Sequence, residues 1–283
     1  MKSLRHPWID RLMATNAWVV YAFFYLPILV LVVFSFNASA RVGIWGGVSP
    51  RWYGEVLGNA EVLDALKNSL IVSGISTIVS TIIGTAAALA IDRYRFRGRR
   101  GLDGMLYLPI IIPDVTMAVM MLLFFARVFD IVELVGPRWQ LGVTTIVISH
   151  VAFNIAFVAV VVRARLGQID KSLEEAARDL YAGAWQTFRR VTLPLIMPGV
   201  LGGALLALTL SLDDVVVTSF VAGPGSTTLP IYVFGLIRRG VSPQINAISS
   251  LMLIASIALV GLSLLLQRNP QDAILPDERL KET

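Results

Sequence analysis

Six stretches of this 283-residue chain are long and apolar enough to cross a lipid bilayer, which leaves few folds open to it. A hydrocarbon core of about 30 Å takes roughly 20 mostly apolar residues at about 1.5 Å of rise each. Residues near 18–36, 66–91, 105–126, 141–162, 199–220 and 247–267 meet that requirement. No water reaches that depth, so each backbone N–H and C=O must bond within the protein, and the spans must be helices. The expected fold class is all-α integral membrane, a single domain over residues 1–283. The third run contains Pro109 and Pro113, and the fifth begins just after Pro194 and Pro198. The first run follows Lys2, Arg5 and Arg11 and precedes Ala38-Ser39-Ala40, the pattern of a cleaved signal peptide. Its length, and its passage through Pro27, favour a retained span.

Composition agrees. The chain is 56% hydrophobic and 15% charged, against about a quarter charged in soluble domains, which argues against a water-soluble enzyme and against disorder. There is no cysteine for a disulfide, a thiolate zinc site or a nucleophile, and only His6 and His150 are available to a histidine-based metal site.

The net charge of +5 is a topology signal. Basic residues cluster at the amino terminus, in Arg93, Arg95, Arg97, Arg99 and Arg100, in the segment Arg163–Pro194, and in the tail. The opposite side holds Arg41, Arg51, Lys67, Arg127, Arg138, Arg238 and Arg239, out of 24 basic residues in all. The positive-inside rule therefore puts both termini in the cytoplasm, and no nucleic-acid partner is needed to explain the charge.

Polar residues inside the spans narrow the function. In the second span Ser69, Ser73, Thr77, Thr81 and Thr85 recur every four residues, beside a parallel series Ser76, Ser80, Gly84 and Ala88. Such spacing lines a gate or lets helices approach closely, and close packing is the favoured reading. Pro113 breaks the third span and frees the carbonyl of Pro109, with Asp114 next in line. Asp213 and Asp214 fall in the fifth. A carboxylate at the centre of a span costs on the order of 3 kcal/mol, and such residues mark transport paths. No Lys or Arg sits deep in a span to pair with them. Either they line a path suited to a cation, or they bond to backbone or to another chain. His150 and Asn154 share one face of the fourth span, where a histidine bonded within the bundle is favoured over a proton relay. Gly223-Pro224-Gly225 reads as a turn, and there is no glycine-rich nucleotide loop with its lysine.

The longest cytoplasmic connection contains Ser172-Leu173-Glu174-Glu175-Ala176-Ala177-Arg178-Asp179-Leu180-Tyr181. Ser172 with Glu175 fits a capping box at a helix start. Leu173, Ala176, Ala177, Leu180 and Tyr181 then share an apolar face opposite Glu174, Arg178 and Asp179. Residues 182–184 read as a turn, and Trp185–Val191 as a second short helix ended by Leu193-Pro194.

Glu175-Ala176-Ala177 followed by Val191-Thr192-Leu193-Pro194 resembles the EAA loop of type I ABC importer permeases. That family carries a glycine six residues after the glutamate; here the position is Tyr181, with Gly183 two places on. Further stretches resemble the spermidine/putrescine branch: Arg51-Trp52-Tyr53, Leu108-Pro109-Ile110-Ile111-Ile112-Pro113-Asp114, Ser211-Leu212-Asp213-Asp214, residues 223–230 and residues 238–247. The likeness runs from about Trp18 to Gln267 and is nearest to the second permease subunit of a putrescine system.

The resemblance implies a six-helix transmembrane permease domain with a coupling loop over about 163–198. In it Glu174, Glu175, Ala176, Ala177, Leu180, Leu193 and Pro194 would meet a cytoplasmic ATPase. It also implies a heterodimer with a second homologous permease subunit, two ATPase subunits carrying ATP and Mg, and a periplasmic polyamine-binding protein. The chain would sit in a bacterial inner membrane, bind no cofactor and hydrolyse no ATP. Asp114, Asp213 and Asp214 are the expected substrate-pathway residues. The alternatives are an ABC permease for another solute, such as ferric iron, sulfate or a phosphonate, and a proton-coupled secondary transporter.

Overall fold

The computed structural model describes residues 7–41, 43–133, 139–240 and 242–267. In chain order the helices are α1 (Pro7–Ser35), α2 (Arg51–Leu57), α3 (Ala60–Arg93), α4 (Arg99–Ile111), α5 (Asp114–Glu133), α6 (Val143–Leu166), α7 (Ser172–Asp179), α8 (Ala184–Thr187), α9 (Leu193–Asp213), α10 (Val216–Val221), α11 (Leu229–Arg239) and α12 (Pro243–Gln267). A π-helical turn, Phe188–Thr192, links α8 to α9. Among the described residues six helical stretches are long and apolar enough to span a membrane: Trp8–Ser35, Ala60–Arg93, Asp114–Glu133, Val143–Leu166, Ala184–Asp213 and Pro243–Gly261.

Two of these differ from the expected runs, and the backbone explains both. The third run does not form one helix. Pro113 drives the preceding residue out of the helical region, so Ile112 is extended (φ −72°, ψ 131°) and α4 ends there. A new helix opens at Asp114, with Met117 N–H bonded to the Pro113 carbonyl. The fifth run is displaced toward the amino terminus. Leu193-Pro194 does not end the helix before it; α8, the π turn and α9 run on as one 30-residue stretch. Leu193 N–H reaches back to Phe188, five residues away, and this wider turn brings the chain into Pro194, which has no donor of its own. The stretch stops at Asp213 because Asp214 is extended (φ −64°, ψ 125°).

The chain divides into two compact units. One comprises the chain up to Val62 with Val233–Ala255. Here Asn37 organises the turn after α1: its side chain donates to the Ile44 carbonyl (2.8 Å) and accepts from Gly46 N–H (2.8 Å) and Ser39 N–H (3.1 Å). Trp52 Nε1 donates to its carbonyl at 2.7 Å. The Ala38-Ser39 segment is therefore held in a bonded turn. α1 passes through Pro27 as one helix, and none of its most apolar window is buried within the described chain.

The other unit, Leu63–Tyr232 with the chain from Ser256, is built around α6. Lipid is as apolar as leucine, so helices here are held by close packing and hydrogen bonds. The Ser76, Ser80, Gly84, Ala88 series supplies both and is buried. Ser76 Oγ meets Ser211 Oγ at 2.9 Å, and a β-carbon at Gly84 would lie 2.8 Å from Val158 Cβ. Ala88, Ile91, Val158, Val162, Leu166, Ile196 and Ala207 continue that seam between α3, α6 and α9. The parallel Thr77, Thr81, Thr85 hydroxyls are buried without a hydrogen-bond partner among the described residues.

Candidate functional site

The two helix breaks bring the membrane-depth acids together. Asp114 opens α5 after Pro113, while Asp213 and Asp214 end α9, and all three line one cavity of about 360 Å³. Pro109, Met117, Phe153, Phe157, Leu210 and Val215–Val217 complete its wall. Sequence reasoning had no means of finding Phe153 and Phe157, which look like ordinary apolar helix positions until α6 is set against the breaks.

Within this cavity the carboxylates are unequal. Asp214 accepts from Thr218 N–H (2.7 Å), Val217 N–H (3.2 Å) and the Thr218 hydroxyl (2.6 Å), covering the free donors at the start of α10. His150 Nε2 lies 3.3 Å from it. Asp214 thus follows the backbone-bonding alternative, and the basic side chain beside it is a histidine, not a lysine or arginine. No other described side chain pairs with Asp213 or Asp114, and both are exposed. His150 is fully buried with both ring nitrogens bonded, Nδ1 to Ser211 Oγ (2.6 Å) and Nε2 to Thr218 Oγ1 (2.9 Å). It is bonded within the bundle, as expected. Asn154, one turn further along α6, is also buried, with neither side-chain end bonded to a described residue.

In the connection between α6 and α9, α7 turns Glu174, from its polar face, inward. Glu174 is the buried side chain of α7, at 7% exposure, while Leu180 is 82% exposed, Tyr181 98% and Trp185 68%. Leu173, Glu175 and Ala176 are exposed as well, Ala177 is partly covered, Leu193 is half-buried against the α3–α6–α9 seam and Pro194 is exposed. The reason is an ion pair that no local pattern signals. Arg93, at the end of α3, donates to Glu174 Oε1 at 2.8 Å, and the Thr192 hydroxyl donates to the same oxygen at 2.8 Å. A buried charge holds the helix, and its apolar side chains are turned outward.

The start of α7 departs from the expected pattern, while its end keeps the family's turn. The Ser172–Glu175 capping box does not form; Asp170 accepts Ser172 N–H (2.9 Å). Hydrogen bonds from the Ser172 backbone and side chain hold the Asp170 carboxyl below the usual carboxylate range. At the other end Tyr181 stands at φ 62°, the left-handed conformation that favours glycine. Ala182 N–H bonds to the Ala177 carbonyl across it (3.0 Å), so the glycine-type turn is kept with a tyrosine in place. At the expected Gly223-Pro224-Gly225 turn, Gly225 has φ 74° and its carbonyl accepts from Asn68 Nδ2 at 3.0 Å.

Known proteins resemble this arrangement in sequence and fold. Residues 80–270 match the family described as binding-protein-dependent transport system inner membrane component. The putrescine transport system permease protein PotI of Escherichia coli (strain K12) is 44% identical over 242 residues, 85% of each chain. The spermidine/putrescine transport system permease protein PotC of the same strain is 40% identical over 251 residues, 88% of this chain and 91% of that one. A bacterial ABC transporter that imports the acidic polysaccharide alginate has a chain that superposes with a TM-score of 0.77 at 20% identity, over 94% of this chain and 97% of that one. At that identity the likeness speaks for the fold alone. The chain belongs to the binding-protein-dependent transport system inner membrane component family, as a multi-pass membrane protein with the fold of a type I ABC importer permease.

Proposed function

We propose that this chain is one permease subunit of an ATP-driven polyamine importer, carrying putrescine or spermidine. The observation that carries this reading is the cavity where Asp114, Asp213 and Asp214 meet, together with 44% identity to a permease named for putrescine transport. An ammonium group leaving water is stabilised by the unpaired Asp213 and Asp114 carboxylates and by the faces of Phe153 and Phe157. Asp214 serves a second purpose, since its hydrogen bonds fix the α9–α10 break that presents Asp213. An anionic cargo would meet repulsion here. Binding in such a path stays weak enough for release, so most selectivity belongs to the soluble binding protein.

The exposed side chains of the α6–α9 connection are the surface offered to the motor. Glu175, Ala176, Leu180 and Tyr181 face a cytoplasmic ATPase, while Glu174, Ala177, Leu193 and Pro194 set the angle of that surface. The basic loops put both termini in the cytoplasm of a bacterial inner membrane. The working assembly then contains a second homologous permease subunit, two ATPase subunits binding ATP and Mg, and a periplasmic binding protein for polyamines. ATP-driven closure of the ATPases shifts the permeases between inward- and outward-open states through its different affinity for each.

The test is uptake of labelled putrescine and spermidine into vesicles holding the whole assembly, with ATP supplied on the ATPase side or withheld. ATP-dependent accumulation is expected. Equal uptake without ATP overturns the reading, and ATP-dependent transport of an anion in place of either polyamine overturns the substrate assignment.

A further inference from the structure

We propose that the Arg93–Glu174 pair is the tie through which movement of α7 reaches α3, and that Arg93 is therefore a positioning residue for transport. The inference rests on the importer reading above and goes beyond it. Residues 81 positions apart are joined here, and both side chains are largely covered, at 17% and 10% exposure. A buried ion pair is a poor source of stability, because the lost hydration of two charges offsets most of their attraction, but it is directional. For α7 it is also the principal inward attachment, since Glu174 is the buried side chain of that helix and its large apolar residues face away.

The tie leads to the acidic cavity along two routes. Arg93 ends α3, a 34-residue helix, whose Ser76 bonds Ser211, which in turn bonds His150 beside Asp214. Thr192, the other partner of Glu174, sits in the π turn leading into α9, which ends at Asp213. A push on the outer face of α7 is thus delivered at one carboxylate to two helices, α9, which ends in the cavity wall, and α3, which is bonded to Ser211 behind it. Asp92 lies 3.5 Å from Arg93 Nε, so the guanidinium stands between two acids.

The test uses the complete assembly in vesicles with Arg93→Gln, Glu174→Gln, both together, and Thr192→Val. Two quantities are read: co-purification with the ATPase, and polyamine moved per ATP hydrolysed. Each Gln variant is expected to assemble and to lose about tenfold in transport per ATP, with the double variant no worse than either single. Thr192→Val, which removes one hydrogen bond, is expected to lose about threefold. An unchanged ratio in the single variants overturns the proposal. So do losses that multiply in the double variant, and so does failure of both single variants to assemble, which makes the pair a folding element. Absence of ATP-driven uptake in the unmodified assembly would instead sink the importer reading itself.

Discussion

Adjacent carboxylates stand both at the acidic cavity and on α7, and at each place the chain covers one and leaves its neighbour open. At the α9–α10 break Asp214 is bonded and Asp213 is exposed; on α7 Glu174 is bonded and Glu175 is exposed. The partners differ. Asp214 is met by backbone N–H groups, a threonine hydroxyl and a histidine, whereas Glu174 is met by a guanidinium and a threonine. Charge is costly in apolar surroundings, so there the acid is held by dipoles and an imidazole ring. At the end of α3 an arginine can keep its hydration partly and still reach inward. In both places the covered acid shapes the backbone that presents the open one.

That comparison makes the neighbours separable by mutation. The largest effect is expected from Asp214→Ala, which strips the start of α10 and leaves His150 without its acid. A loss on the order of 3 kcal/mol is expected, seen as a collapse in the yield of folded protein. Full yield with the α9–α10 break intact would erase the distinction between the two aspartates. Next is Ala176→Glu on the exposed face of α7. It should cut polyamine uptake by about thirtyfold while ATP hydrolysis continues, measured on the same vesicles. Normal pumping would remove α7 from the motor interface.

Asp213→Asn is expected to be milder. Folded yield and ATPase binding should stay unchanged, and uptake should fall about tenfold, close to 1.4 kcal/mol of lost cation stabilisation. Uptake at the unmodified rate would show that this carboxylate is a bystander in the cavity. The smallest effect belongs to Tyr181→Gly, which relieves a left-handed tyrosine and should steady the end of α7 by about 1 kcal/mol. Amide exchange at Leu180 and Ala182 reads it directly; faster exchange in the glycine variant would contradict the turn geometry.

Much of the site was legible beforehand because its residues violate their surroundings. Asp114, Asp213 and Asp214 stand out in apolar runs, and Pro113 announced a break where one occurs. The EAA segment likewise carries its helix and the make-up of its two faces. Counting faces on α7 sets Glu174 opposite the apolar side chains but leaves open which surface Glu174 meets. It is ionic, because Arg93 arrives from a distant helix end. Tyr181 in place of glycine suggested a changed turn, yet the Ala182–Ala177 hydrogen bond preserves the old one. Phe153, Phe157 and Thr192 gave no signal, as nothing in their own neighbourhoods is unusual.

By itself the sequence determined the number of helices long and apolar enough to cross a membrane and the loop that is amphipathic. Each follows from transfer of side chains between water and lipid, which depends on local composition. Only the tertiary structure decided which acid of each pair is spent and which is free, that His150 belongs to Asp214, and that α7 turns its apolar side chains outward. For Glu174 the donors come from 18 and 81 residues away, and hydrogen bonds of that reach leave no mark on local periodicity; for Asp214 they come from the next turn, and only the break after α9 frees them to bond.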